Sequence, residues 1–200
     1  VFLSVIVSLR REWPLLLPVV RERRNLLLLA AGGVLIAVNW LVFIHAVVTG
    51  HLLESSLGYF INPLFSVALG MVFLHERLRR WQWVAVVIAG LAVANLTFRG
   101  ERIPWIALSL AGSFGLYGLV RKKVDINTLH GLLVETTVLL PVALVGLMSL
   151  PTSQPSPGTL GLLSFLGVIT AIPLLLFGAA LRRLPLSTVG FLQYVGPTLQ

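Results

Sequence analysis

Polar side chains stranded inside long apolar runs are the residues of this chain best placed to do chemistry. Asn39 and Trp40 fall midway along one run, Tyr59, Asn62 and Pro63 lie early in the next, and Tyr117 lies late in another. Gln193, Tyr194 and Pro197 sit in the final run. A polar group in hydrocarbon is costly without a partner, so each is either a helix–helix contact or a binding group. Asn62 and Gln193 carry both readings. Proline removes a backbone donor and frees a carbonyl, so breaks are expected at Pro63 and Pro197, exposing polar backbone beside those amides.

Acidic chemistry has few candidates. The chain holds seven carboxylates, and no two share one helix face at a spacing suited to paired acid–base work. Glu54 follows His51 at i, i+3, with His45 just before; it is either a helix N-terminal carboxylate favoured by the macrodipole or a proton-coupling group with a raised pKa. Glu135 lies inside a run, where it snorkels, pairs with a basic loop residue, or moves protons. Glu76 beside Arg77 reads as structural, bridging to the cationic loops. The chain has no cysteine, and its four histidines are scattered without a common metal-ligand spacing, so no metal or other cofactor is expected. No phosphate-cradling loop motif is present, which excludes ATP as an energy source within this chain.

The elements that position these residues are membrane helices. Hydrophobic residues make up 57% of the chain and charged ones 11%, with mean hydropathy +0.96, far fewer charges than a soluble surface requires. Apolar stretches near the length of one bilayer crossing cover 26–48, 57–74, 81–98, 103–120, 131–150 and 159–181, with partial ones at 1–9 and 187–200. Both ends thus lie inside apolar runs, and a piece of a longer protein is expected. Trp13, Trp81, Trp83 and Trp105 fall near segment ends, as interfacial indoles do. Ala107, Ala111 and Gly115 form a small-residue face for close helix packing, widened by Gly112 and Gly118.

Cations map the orientation. Of 15 Lys and Arg, 13 fall in alternate gaps: Arg10 to Arg24, Arg77 to Arg80, Arg121 to Lys123, and Arg182 with Arg183. Positive charge marks cytoplasmic loops, so these gaps face the cytoplasm and the net charge of +8 reflects topology, not nucleic-acid binding. A multi-pass protein of a bacterial inner membrane is expected.

An internal repeat adds architecture. Leu52, Ser55, Ser56, Leu57, Gly58 and Tyr59 match Leu184, Ser187, Thr188, Val189, Gly190 and Phe191, and Phe60-Ile61-Asn62-Pro63-Leu64 parallels Tyr194-Val195-Gly196-Pro197-Thr198. The helices opened by the two copies are five apart, so they cross in opposite senses. Inverted repeats with matched helix breaks mark carriers with a midplane site.

The runs NWLVFIHAV (39–47), HLLESSLGYFINPLFSVALGMVFLHERLRRWQWVAV (51–86), FGLYGLVRKK (114–123), GLLVETTVLLPVA (131–143) and LSTVGFLQYVGPTL (186–199) resemble the RarD subgroup of EamA-type drug/metabolite transporters. The resemblance covers nearly the whole chain. It implies a ten-helix inner-membrane permease of two EamA repeats. This chain would hold the first repeat over 1–98, from the end of helix 2 to helix 5, and the second over 103–200, from helix 6 to the start of helix 9. Helices 1 and 10 would lie outside it.

The expected fold is an all-α integral membrane protein, a polytopic helix bundle of two inverted-topology five-helix repeats with six complete and two partial transmembrane helices here. The expected function is a secondary transporter moving a small organic metabolite or drug-like solute by alternating access. Asn39, Trp40, Tyr59, Asn62, Tyr117, Gln193 and Tyr194 are the expected substrate contacts, with Glu54 and Glu135 as possible proton-coupling groups. Its expected partners are the solute and membrane lipid, with self-association into a homo-oligomer left open. The alternatives are a membrane-embedded enzyme acting on lipid and a scaffold subunit; a midplane cavity lined by Asn39, Tyr59, Asn62, Tyr117 and Gln193 distinguishes the carrier from both.

Overall fold

The computed structural model describes residues 2–98, 104–149 and 156–199, and among them the regular structure is helical throughout. In chain order the helices are α1 (Phe2–Leu9), α2 (Leu16–Arg21), α3 (Arg23–Val48), α4 (Leu52–Leu74), α5 (Arg80–Phe98), α6 (Trp105–Lys123), α7 (Thr128–Ser149), α8 (Pro157–Arg183), α9 (Leu186–Gln193) and α10 (Val195–Leu199), with a short 3-10 turn at Trp13–Leu15. Among the described residues, four stretches are long and apolar enough to cross a membrane: Arg23–Val48, Leu52–Leu74, Thr128–Gly146 and Gly161–Arg183. The chain is a polytopic helical membrane protein.

Helix positions follow the apolar runs closely, with one difference. α4 starts at Leu52, five residues before the expected 57. Gly50, at φ +77°, turns the chain tightly enough for Leu52 to open the helix, and the N-terminal turn tolerates Glu54 because the helix dipole favours a carboxylate there.

The bundle is inside-out relative to a soluble protein. Leu53, Trp81 and Met148 are exposed, while Ser55, Asn62, Ser66, Ser113, Arg121, Thr128, His130, Glu135 and Ser187 are buried. Lipid offers no hydrophobic drive between helices, so small residues and polar bonds hold them instead. α4 is central, packing on α6 and α9. A Cβ at Gly58 would lie 3.2 Å from the Ala107 carbonyl of α6, and one at Gly190 would lie 3.0 Å from the Pro63 carbonyl of α4. The glycines of the two repeat copies are therefore both helix-crossing points. The Ala107, Ala111 and Gly115 face does pack on α4, through Gly58 and Phe65. Gly112 and Gly118 do not widen it: Gly112 has open space, and Gly118 faces Leu186 and Phe177.

Polar contacts gather at the basic end. The Glu76 carboxylate accepts from the backbone N–H groups of Leu186 at 2.7 Å and Ser187 at 2.8 Å. Glu76 therefore does not bridge to the cationic loops as expected; it caps the N-terminus of α9, where the free amides and dipole favour an anion. This contact also shows that α9 starts where α4 ends, so the two repeat copies run antiparallel. Lys122 Nζ donates to the carbonyls of Leu181 at 2.6 Å and Leu184 at 2.7 Å, closing the C-terminus of α8. His130 pairs with Glu12 at 2.9 Å. At the opposite end, Ala46 of α3 packs with Ile106 and Leu110 of α6, and the His45 and Trp105 rings lie 5.8 Å apart.

The two prolines behave differently. α4 runs through Pro63 without interruption, contrary to the expected break. Pro63 forfeits one ladder bond, and the bonds on either side keep the helix intact. Near Pro197 the break does occur, at Tyr194, whose N–H turns back to the Phe191 carbonyl at 3.2 Å. Pro197 has no N–H to continue the ladder from Gln193.

Candidate functional site

A cavity of about 630 Å³ lies between α3, α4, α6, α8 and the α9–α10 break. Its size is that of a small-molecule site. α3 contributes Ile36, Asn39, Trp40 and Phe43 to the wall, and α4 contributes Gly58, Tyr59 and Asn62. Phe114 of α6 and Phe177 of α8 stand opposite, and Gln193, Gly196 and Pro197 complete the wall at the break.

Two amides meet across this space. Asn62 Nδ2 donates to Gln193 Oε1 at 2.8 Å, joining α4 to α9. The other polar atoms of the pair, Asn62 Oδ1 and Gln193 Nε2, are buried and have no partner among the described residues. Helix break and amide pair coincide because the chain leaves the helical path just after Gln193.

Asn39 reaches the wall and also ties helices together. Its Nδ2 donates to the Leu110 carbonyl at 2.9 Å and to Ser113 Oγ at 3.0 Å, fixing α3 against α6. Trp40 and Tyr59 are half-exposed on the wall, and Tyr59 meets Phe43 edge-on with centroids 6.2 Å apart. These aromatics give the cavity an apolar, polarisable surface.

Tyr117 is not on the wall. It is fully buried behind Phe114 and Phe177, and its hydroxyl donates to Glu135 Oε2 at 3.2 Å. The side chain leaves α6 toward α7, behind the Phe114 and Phe177 rings that face the cavity. Glu135 also accepts from Arg121 Nη1 at 3.2 Å, both side chains being almost wholly buried. Arg121 Nη2 donates to the Thr128 carbonyl at 3.2 Å. Glu135 fits against α3 because Gly32 is there: a Cβ would lie 3.0 Å from Glu135 Oε1. Glu135 also lines a smaller pocket of about 240 Å³, which shares Ile36, Trp40, Thr170 and Leu174 with the main cavity.

Tyr194 likewise misses the cavity wall; its hydroxyl is buried without a partner among the described residues. Gln193, just before the turn at Tyr194, lines the cavity, and the tyrosine does not. Glu54 lies in the first turn of α4, away from the cavity, with Oε2 unpartnered among the described residues. His51, near it in sequence, bonds Thr49 Oγ1 at 2.8 Å instead.

The α8 wall, with Thr170, Pro173 and Phe177, is absent from the sequence-based candidates. Thr170 and Pro173 interrupt an apolar run much as Asn62 and Pro63 do, and that is the one signal that pointed to it. The Thr170 hydroxyl is occupied by its own helix, donating to the Leu166 carbonyl at 2.9 Å.

The model of the EamA-like transporter family matches residues 1–98. Protein RarD of Escherichia coli is 48% identical over 99% of this chain and 69% of its own length. Uncharacterized transporter YojE of Bacillus subtilis is 45% identical over 100% of the chain and 69% of its own length. Chloramphenicol-sensitive protein RarD of Pseudomonas aeruginosa is 33% identical over the same shares. No solved structure matches the chain.

Proposed function

This chain belongs to the RarD subgroup of EamA-type transporters, and we propose that it is a secondary carrier moving a small organic solute through the cavity by alternating access. The observation that carries this reading is the Asn62–Gln193 bond. It joins the two antiparallel repeat copies inside a cavity of solute size, where inverted-repeat carriers place their site. Asn39, Trp40, Tyr59, Asn62 and Gln193 are the proposed substrate contacts. The wall of α8 belongs to the same site.

The arrangement fits one state of such a cycle. With the basic end cytoplasmic, as the cation distribution proposes, Glu76 and Lys122 hold that end closed. Leu69, Leu119, Leu181, Leu186 and Val189 pack between those contacts and the cavity. Opening to the cytoplasm would require α9 to leave Glu76. Glu135 is the proposed proton-coupling group, because it adjoins the cavity through the smaller pocket, whereas Glu54 stands apart. A bacterial inner membrane is the proposed location.

The test is untargeted metabolite profiling of cells with the intact protein, compared with an Asn62→Ala variant at matched membrane abundance. A solute whose distribution depends on the protein and loses that dependence in the variant is expected. Identical profiles with and without the intact protein would refute the carrier.

A further inference from the structure

The Asn62–Gln193 pair leaves something specific unused. One N–H···O bond joins the amides, which leaves one carbonyl oxygen and one NH₂ group without partners. Exchanging O and N in both amides reverses the bond and leaves the same remainder. Each free atom sits on the same planar group as a bonded one, so acceptor and donor are held next to each other. They come from opposite repeat copies, α4 and α9. Buried polar atoms are almost always satisfied, and leaving them unpaired penalises this arrangement until something complementary arrives.

The rest of the wall narrows what that is. Among the described residues, none that lines the cavity is Asp, Glu, Lys, Arg or His. An ion entering it would lose hydration and find no counter-charge. The nearest buried charges, Glu135 and Arg121, already neutralise each other at 3.2 Å behind Ile36 and Trp40. Meanwhile Trp40, Phe43, Tyr59, Phe114 and Phe177 offer ring surface on three helices and α8.

We propose that the cavity selects an uncharged solute that carries a donor and an acceptor on one amide-type group, such as a primary carboxamide or a lactam, attached to an apolar or aromatic body. The group enters by parting the two amides, since Asn62 Oδ1 and Gln193 Nε2 are buried while the pair is closed; it then bonds both atoms, and the body lies among the rings. This rests on the carrier reading above. It also ties recognition to the cycle, because the ligand bridges the two copies at the point where they cross.

Four probes of one skeleton test it: benzamide, methyl benzoate, benzoate and benzylamine, titrated calorimetrically into the intact protein in nanodiscs at neutral pH, with empty nanodiscs subtracted. Methyl benzoate keeps the ring and the acceptor, loses the donor, and is the more apolar. Benzamide is expected to bind about tenfold more tightly than methyl benzoate, the scale of one hydrogen bond in a buried site, and both ions more weakly still. In the Asn62→Leu/Gln193→Leu double variant, benzamide loses both bonds and methyl benzoate only the one from Gln193 Nε2, so benzamide should fall further and its tenfold advantage should disappear. Equal binding of benzamide and methyl benzoate by the unaltered protein, tightest binding of either ion, or no binding of any probe would overturn the proposal. A metabolite profile that still depends on Asn62, alongside any of those results, would leave the carrier standing and remove only the amide class.

Discussion

Replacing Glu135 by Ala attacks the buried polar cluster of Glu135, Arg121 and Tyr117. Glu135 and Arg121 are 1% and 5% exposed and meet at 3.2 Å, with the Tyr117 hydroxyl on the second carboxylate oxygen. Removing the carboxylate leaves a guanidinium that cannot deprotonate holding only the Thr128 carbonyl. Stranding one partner of a buried pair costs about 3–5 kcal/mol. At about 2–4 °C per kcal/mol for a chain of this size, melting should fall by roughly 10 °C. The double variant Glu135→Leu/Arg121→Met removes both charges at similar volume and should recover most of that loss. Melting of the purified protein, followed by size-exclusion fluorescence, measures all three forms. A Glu135→Ala protein as stable as the parent, or a double variant no better than Glu135→Ala, would refute a buried charge pair. Transport need not return with stability: if Glu135 also moves protons, the double variant stays folded and loses pH-driven uptake.

Other outcomes follow from the same geometry. Gly190→Val should sharply reduce folded protein, since its Cβ meets the Pro63 carbonyl at 3.0 Å, while Gly112→Ala, with nothing within 4 Å, should be neutral or stabilising by about 0.5–1 kcal/mol; membrane abundance and melting separate them. Glu76→Ala removes the cap on α9, worth about 1–2 kcal/mol, and should increase cytoplasmic access to a cysteine at Tyr59 in inside-out vesicles; unchanged labelling would show that the cap plays no part in closure. Pro63→Ala should lower transport more than membrane abundance, because the proline leaves the carbonyl of Tyr59, a wall residue, without its ladder donor; unchanged activity per molecule would contradict this. Single cysteines at Thr49 and Asn127 should differ in labelling by an impermeant thiol reagent on whole cells, Thr49 reacting and Asn127 not.

The helices are legible in the sequence because hydropathy alone decides them in a bilayer, and α4 shows where that stops. Its first turn carries Glu54, which counts against an apolar run yet suits a helix N-terminus. Asn62 and Gln193 stand out as amides beside prolines, and the repeat already runs their helices in opposite senses. Tyr117 and Tyr194 were equally visible, but which way a side chain leaves its helix depends on rotation about the axis, and hydropathy does not set that. Phe114 and Tyr117, three residues apart on α6, are both of types that line sites; only Phe114 reaches the cavity. Glu76 illustrates the other limit: its partners lie 110 and 111 residues away, beyond any local pattern. Phe177 and Thr170 left little trace, since such residues are common in membrane helices.

Whether the cavity opens alternately to both sides is the central question, and one cysteine answers it. The chain has none of its own, and Tyr59 lies half-exposed on the cavity wall. Tyr59→Cys in the intact protein would be labelled with an impermeant maleimide in right-side-out and in inside-out vesicles. Alternating access predicts labelling from both sides, at rates that shift in opposite directions when Glu76→Ala is added. Labelling from one side alone, at a rate indifferent to Glu76→Ala, would contradict the carrier.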